Sequence, residues 1–357
     1  MIFSRKKNVE LSKTDASENA IANKETEGLT QRQIIFRRFI HHRAAMISIC
    51  VLISLTIVVF SALNFKIGPI AYHGWWKYGI KDIPDLQYKT CPGQTIGCPS
   101  ISIRPTWLGG SGFHLGPHPF GQDDIGRDYF ALVMRGAQRS MLLMVIVGAV
   151  AGTIGTVVGS ISGYFRGTID ALLMRFTDFI ITVPVIIIGS VVGFRFGNLG
   201  ALFLAFLLGL FIWPGLARLV RGEFLKFREL EFVDAARVAG ASNRRIIFKH
   251  ILPNAIGIII VSVTLLMSGA ILLESALSYI GFGVVAPDVS LGLLINQYQD
   301  SFTTRPWLFM YPGLIIITIT LSINFIGDGL RDAFDPRQRR RLSLRQRLKS
   351  SAPKADK

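Results

Sequence analysis

Apolar residues in this chain come in blocks of about 20, separated by polar stretches that carry most of the charge. The first block, Ala44 to Leu63, is 20 positions without a charge. At about 1.5 Å rise per residue, a helix of that length crosses the ~30 Å hydrocarbon layer of a bilayer. Five further blocks at 141–164, 172–194, 198–217, 251–273 and 307–326 complete a pattern of six transmembrane helices. Ahead of them, residues 1–28 are polar and nearly free of aromatics, which predicts a tail without a packed core. Residues 29–43 mix Ile34, Ile35, Phe36, Phe39 and Ile40 with Arg37, Arg38 and Arg43, the pattern of a short helix lying on headgroups. A polar lead of 43 residues is too long for the n-region of a cleaved signal peptide.

Composition agrees with the pattern and excludes an ordinary soluble domain: half the residues are hydrophobic, 17% are charged and mean hydropathy is +0.44. The net charge of +16 changes the picture only through its distribution. Of 39 Lys and Arg residues, 27 lie in 1–43, 218–250 and 328–357, flanking the apolar blocks. That is positive-inside topology in a lipid environment, not a groove for nucleic acid. The 218–250 connection has eight basic residues and 279–306 has only Arg305, so both termini and 218–250 are expected in the cytoplasm. Residues 64–138 then form a large extracytoplasmic loop, whose seven basic residues are no objection because long loops translocate largely regardless of charge. The expected organisation is a tail with its juxtamembrane segment (1–43), a first span (44–63), the loop (64–138), a core of five spans (139–327) and a basic tail (328–357).

Within the second block Gly148, Gly152, Gly155, Gly159 and Gly163 are spaced by three or four residues and share one helical face. In lipid such a face lets backbones approach and gain dispersion contacts, so it is expected to be a packing seam. Pro184 and Pro214 each remove a backbone donor inside a block and predict kinks.

No arrangement suggests catalysis, and the chain reads as a non-enzyme without a cofactor of its own. There is no G-x-x-x-x-G-K-[ST] loop, nor any Gly-Lys pair, so ATP is not bound by that mechanism. The six His make no metal-ligand set, and His114 and His118, in a Gly- and Pro-rich stretch, are expected to be solvated. Cys91 and Cys98 bracket CPGQTIGC in the loop expected outside the cytoplasm, where a disulfide can persist and Pro92, Gly93 and Gly97 let a short ring close; two unpaired thiols or half of a metal site are the alternatives. Cys50 reads as a small buried hydrophobe. Ionisable residues inside the blocks need a partner or a function. Arg175 and Asp178, three apart, can pair on one helix face; Glu274 is either interfacial and solvated or lines a polar cavity.

The segment RELEFVDAARVAGASNRRIIFKHILPN, Arg228 to Asn254, resembles the E-A-A loop of ABC importer permeases. Asp234, Ala235, Ala236, Gly240, Leu252 and Pro253 fall on its pattern; Asp234 is the shorter carboxylate, and His250 stands where an apolar residue is usual. FGQDDIGRD, with Gly121, Asp123, Gly126, Arg127 and Asp128, is similar to the segment before the second span in dipeptide and oligopeptide permeases. WPGLARLVRGEFLKFRE (213–229), ESALSYIGFGV (274–284) and GDGLRDAFDPR (327–337) are similar to other stretches of that subfamily. The resemblance implies an all-α membrane protein with the type I importer permease fold and a cytoplasmic coupling helix at 228–254. It also implies the partners: a homologous permease, two ABC ATPases that bind the ATP, and an extracytoplasmic substrate-binding protein. Relatives carrying nickel chelates or glutathione share these motifs, so the cargo stays open, and the E-A-A loop is what speaks against a gradient-driven secondary transporter.

Overall fold

The computed structural model describes residues 31–67, 70–86, 88–91, 94–101 and 115–334. Helix α1 (Gln31–His41) runs into α2 (Arg43–Ala62), the first apolar block. His42 caps α2 by accepting from the Ala45 amide at 3.1 Å. Two short antiparallel hairpins follow, β1–β2 (Phe65–Ile67, Ile70–Tyr72) and β3–β4 (Tyr88–Cys91, Gln94–Ile96). They are the only strands among the described residues, and all larger elements are helical.

Helix α3 (Tyr129–Phe165) is 37 residues long. At about 1.5 Å per residue that is ~55 Å, well beyond the ~30 Å hydrocarbon layer. It starts 12 residues before the expected span, because Asp128 accepts from the Ala131 amide and caps it there; the last ten residues of the expected loop are helix. The third block is broken: α4 (Gly167–Thr182) and α5 (Val185–Phe196) meet at 75°. Pro184 stands at the break, lacking an amide to donate and serving instead as the residue that opens α5. The fourth block bends by 45° between α6 (Ala201–Ile212) and α7 (Pro214–Arg228), where Pro214 opens the second half. Among the described residues four helices are long and apolar enough to cross a membrane, and up to six spans result if each bent pair counts as one.

After α7 come α8 (Glu231–Val238), a single turn α9 (Asn243–Arg245), a π-helical turn (Ile246–Ile251) and the long α10 (Leu252–Tyr279). Helix α11 (Leu291–Tyr298) and a 3₁₀ turn (Gln299–Thr303) lead to α12 (Pro306–Phe334). Two ends of the bundle can now be distinguished: a hairpin end with β1–β4 and α11, and a basic-loop end with α8.

The glycine face of α3 is a packing seam with two partners. A Cβ on Gly148 would lie 2.4 Å from Met267 Cγ and one on Gly152 3.1 Å from Val263 Cγ2, both on α10. On Gly155 it would lie 3.0 Å from Leu216, on Gly159 2.5 Å from the Ala217 carbonyl and on Gly163 2.6 Å from Phe224 Cβ, all on α7. One face of one helix therefore brings both elements flanking the basic loop against the centre of the bundle. Cys50 does not fit its expectation: it is a free thiol on an exposed face of α2. In a membrane helix such a face meets lipid or a partner rather than water.

Candidate functional site

The basic loop is built as a cantilever on the bundle. In α8 Val233 is buried among Phe224, Ile246, Ile247 and Ile251, and Ala236 packs half-buried on the same cluster. Helical spacing puts Phe232, Ala235 and Val238 elsewhere on the cylinder, and all three are exposed, Val238 at 91%. The helix stops by a Schellman motif: the Ala241 amide donates to the Ala236 carbonyl at 3.0 Å and the Gly240 amide to the Arg237 carbonyl at 2.9 Å. Gly240 supplies the required left-handed turn at φ +77°, and nothing lies within 4 Å of where its Cβ would be. Glycine is needed here for conformation and not for space. Asp234 pairs with Arg237 at 2.8 Å on the surface, worth at most about 1 kcal/mol.

Both ends of the loop are tied to α3. Tyr164 donates its hydroxyl to Asn243 Oδ1 at 2.7 Å, and Arg228 donates to the Tyr164 carbonyl. Leu252 and Pro253 open α10 directly after the π-helical turn. Pro253 has no amide for the α-helical ladder, so a widened turn before it is a local consequence of sequence. His250 lies inside that turn, and its carbonyl accepts from Asn254 Nδ2 at 2.6 Å.

Ion pairs link α4 to α7. Asp178 pairs with Arg218 at 2.5 Å, and not with Arg175, which has no ion-pair partner among the described residues. The helical offset from 175 to 178 allows a contact, but the facing helix offers Asp178 a guanidinium first. Asp170 and Arg221 form a two-pronged pair at 2.6 and 2.7 Å, with Ser162 also donating to Asp170. Arg166 pairs with Glu229 at 2.5 Å. The Asp170–Arg221 pair spans 51 positions, so no local spacing announces it.

Glu274 is not solvated, and it lines neither of two cavities at the hairpin end. It is wholly buried, accepting from Ser278 Oγ at 2.7 Å and Ser140 Oγ at 3.2 Å. Helix α10 continues past it to Tyr279, and α3 and the 284–291 segment close over it; Ser278 Oγ accepts from the Val284 amide and Ser140 Oγ from the Leu291 amide. The carboxyl is the centre of a clasp joining three chain segments.

At the hairpin end, FGQDDIGRD forms a second hub. Asp128 caps α3 and accepts from Trp76 Nε1 at 2.7 Å, while His118 Nδ1 lies 2.8 Å from its other oxygen. His118 is thus 2% exposed rather than solvated; His114 lies outside the described residues. Asp123 accepts from the Arg127 Nε at 2.6 Å, the Ile125 and Arg127 amides, and Tyr298 Oη at 3.2 Å. Burial pushes the Tyr298 hydroxyl above its ordinary pKa, and the Asp123 carboxylate adds to that. At Gly121, with φ +82°, a Cβ would lie 2.5 Å from the Gly97 carbonyl oxygen, and Gly126 turns at φ +94°. Cys98, next to that contact, is buried and disulfide-bonded; the side chain of Cys91 lies outside the described residues. These positions brace the loop against α3, α11 and Gly97, and Arg127 also lines a cavity of about 160 Å³ together with Lys81 and Asp288.

Residues 155–340 match the family described as "Binding-protein-dependent transport system inner membrane component". The chain is 36% identical over 315 residues to the oligopeptide transport system permease protein OppC of Mycobacterium tuberculosis, covering 88% of this chain and 97% of that protein. It is 34% identical over 320 residues to OppC of Haemophilus influenzae (89% and 93% covered) and 36% identical over 302 residues to a putative peptide permease of Brucella ovis (84% and 89%). Among solved structures, a chain of the inward-facing MetNI methionine ABC transporter has 21% identity and a TM-score of 0.47, covering 57% of this chain and 96% of that one.

Proposed function

Because the chain belongs to the family of binding-protein-dependent inner membrane transport components, we propose that it is one of two permease subunits of an ATP-driven peptide importer. It works with a homologous, different permease, two ATPases that bind the ATP and an extracytoplasmic substrate-binding protein, and it catalyses no reaction itself. The basic-loop end and both termini are cytoplasmic, following the Lys and Arg distribution, and the hairpin end faces the binding protein. Peptide is the cargo because the relatives similar over most of their length are named for peptide transport.

The observation that carries this reading is α8: an eight-residue helix held by one buried side chain, with Phe232, Ala235 and Val238 left for another protein. A helix laid in a partner's groove presents apolar residues at such spacing. An ATPase that moves α8 pulls α7 through residues 229–230 and α10 through the π-helical turn. The Asp170–Arg221 and Asp178–Arg218 pairs pass the movement of α7 to α4, the first half of the broken span.

Ala236 is half-buried on its own cluster, so a charge there disturbs the loop as well as a docked partner. Ala235 is the cleaner probe. Ala235→Asp and Val238→Asp are expected to insert and accumulate normally, yet lose co-purifying ATPase and at least tenfold of peptide uptake, since an unpaired charge in an interface costs several kcal/mol. ATPase retention with normal uptake in both variants would show that α8 is not the coupling element.

A further inference from the structure

A cavity of about 570 Å³ opens at the hairpin end between α3, the residues just after α2 and the 285–288 segment. Its charged lining is Lys81, Arg135, Arg139 and Asp288, with Asn64, Gln138 and Asn198 as the polar neutral residues. Three cations against one carboxylate leave it two positive charges. Asp288 is already engaged: Arg139 Nε lies 3.0 Å from its Oδ1 as an ion pair, and its Oδ2 accepts from the Ala201 amide at 3.1 Å. Arg135 is different. Its guanidinium donates to Gln138 Oε1 at 2.9 Å and to the Asn64 carbonyl at 3.1 Å, both uncharged. Gln138 is buried, and its own amide donates to the Val59 carbonyl at 2.7 Å, which fixes the oxygen that faces Arg135. Neither Arg135 nor Lys81 has a carboxylate partner among the described residues. Arg135 stands six residues from the start of a helix of 37 and six before the apolar block that begins at residue 141.

We infer that this cavity receives the C-terminal carboxylate of the incoming peptide, with Arg135 as its ligand and Lys81 as a second cation. The inference rests on the peptide reading above. What all linear peptides share, whatever their side chains, is backbone amides and chain ends. A guanidinium fork matches a carboxylate in two parallel hydrogen bonds, and Asn64, whose Oδ1 already accepts from the Gly74 amide, can donate its Nδ2 to a peptide carbonyl. The volume is within the roughly 300–1,000 Å³ usual for small-ligand sites.

The test uses the whole importer in proteoliposomes, with its binding protein saturated by labelled tri-alanine or by tri-alanine C-terminal amide. Wild type is expected to import the free acid faster. Arg135→Gln should slow the acid by about tenfold, the worth of one charge-assisted contact, and leave the amide within about twofold. Lys81→Gln, at an exposed position that folding does not need, should lower the acid-to-amide ratio about threefold, as a screened surface charge would. Equal losses for both probes would mean that Arg135 only packs the bundle, and an unchanged ratio would mean that no carboxylate is read here; either overturns the inference. So would losses confined to vesicles containing phosphatidylglycerol, which would assign the cavity to lipid phosphate. Wild type importing neither probe would remove the peptide reading itself, whereas import of both with a ratio insensitive to the two variants would remove this inference alone.

Discussion

Gly240 and Gly121 both sit at positive φ, but for different reasons, and the difference decides what a substitution does. Gly240 has open space around it, so Gly240→Ala meets only the left-handed backbone penalty, about 1–2 kcal/mol. The expected result is a frayed end of α8, read as reduced ATPase co-purification at an unchanged thermal midpoint of the membrane bundle. Gly121 has no such freedom, since a side chain would also strike the Gly97 carbonyl. Beside that contact Cys98 is disulfide-bonded while Cys50 is free. Mass spectrometry of unreduced peptides is expected to find Cys91 joined to Cys98; alkylation of both thiols in intact unreduced protein would reject that pairing. Residue identity at Glu274 was a clear signal of importance, since a carboxyl after 23 uncharged positions demands an explanation. Ser278 lies four residues on along the same helix and is a local neighbour, but Ser140 and the 284–291 backbone that binds the two serines were not legible, because only packing brings those segments together.

Among the elements, α3 organises the rest. Its glycine face was legible from spacing alone, but which helices it meets was not. The two halves of the seam differ in tolerance. Gly159→Ala places a Cβ 2.5 Å from a backbone carbonyl, which cannot yield, and is expected to cost about 1–3 kcal/mol. Gly152→Ala meets a Val263 methyl at 3.1 Å, which needs to give only a few tenths of an ångström. Thermal unfolding in detergent should therefore show a clear drop in midpoint for Gly159→Ala and little change for Gly152→Ala; the reverse order would mean that α3 and α7 are not in this contact. The broken third span follows the same division. Pro184 announced a kink, whereas neither the 75° angle nor the Asp170–Arg221 and Asp178–Arg218 pairs that hold α4 to α7 could be read from spacing.

For the whole molecule, the consequential expectation is sidedness. A cysteine placed at Thr303, exposed at the hairpin end, should react with a membrane-impermeant maleimide in intact spheroplasts; one at Ser242, exposed at the basic-loop end, should react only after lysis. Cys50 would first be replaced by serine as a control, since it is a free thiol. Reaction of the Ser242→Cys variant from outside would invert the topology and with it the assignment of α8 to an ATPase.

Taken alone, the order of apolar and charged residues determined that this is a membrane protein, roughly where its spans lie, which loops are basic, and where glycine and proline interrupt the helices. Those are properties of neighbours along the chain: the length needed to cross a bilayer, a 3.6-residue period, an absent amide. The loop motif was legible through its resemblance to the E-A-A pattern, and its stop is local as well, the Ala241 amide bonding the Ala236 carbonyl and the Gly240 amide the Arg237 carbonyl. Only the tertiary structure decided which of the two alanines is exposed, that Asp178 pairs with Arg218, that His118 is buried on Asp128, and that Lys81, Arg135 and Arg139 share a cavity. Each of these depends on residues tens of positions apart meeting across helices, and the chosen partner is whichever complementary group the packed backbone brings within bonding distance.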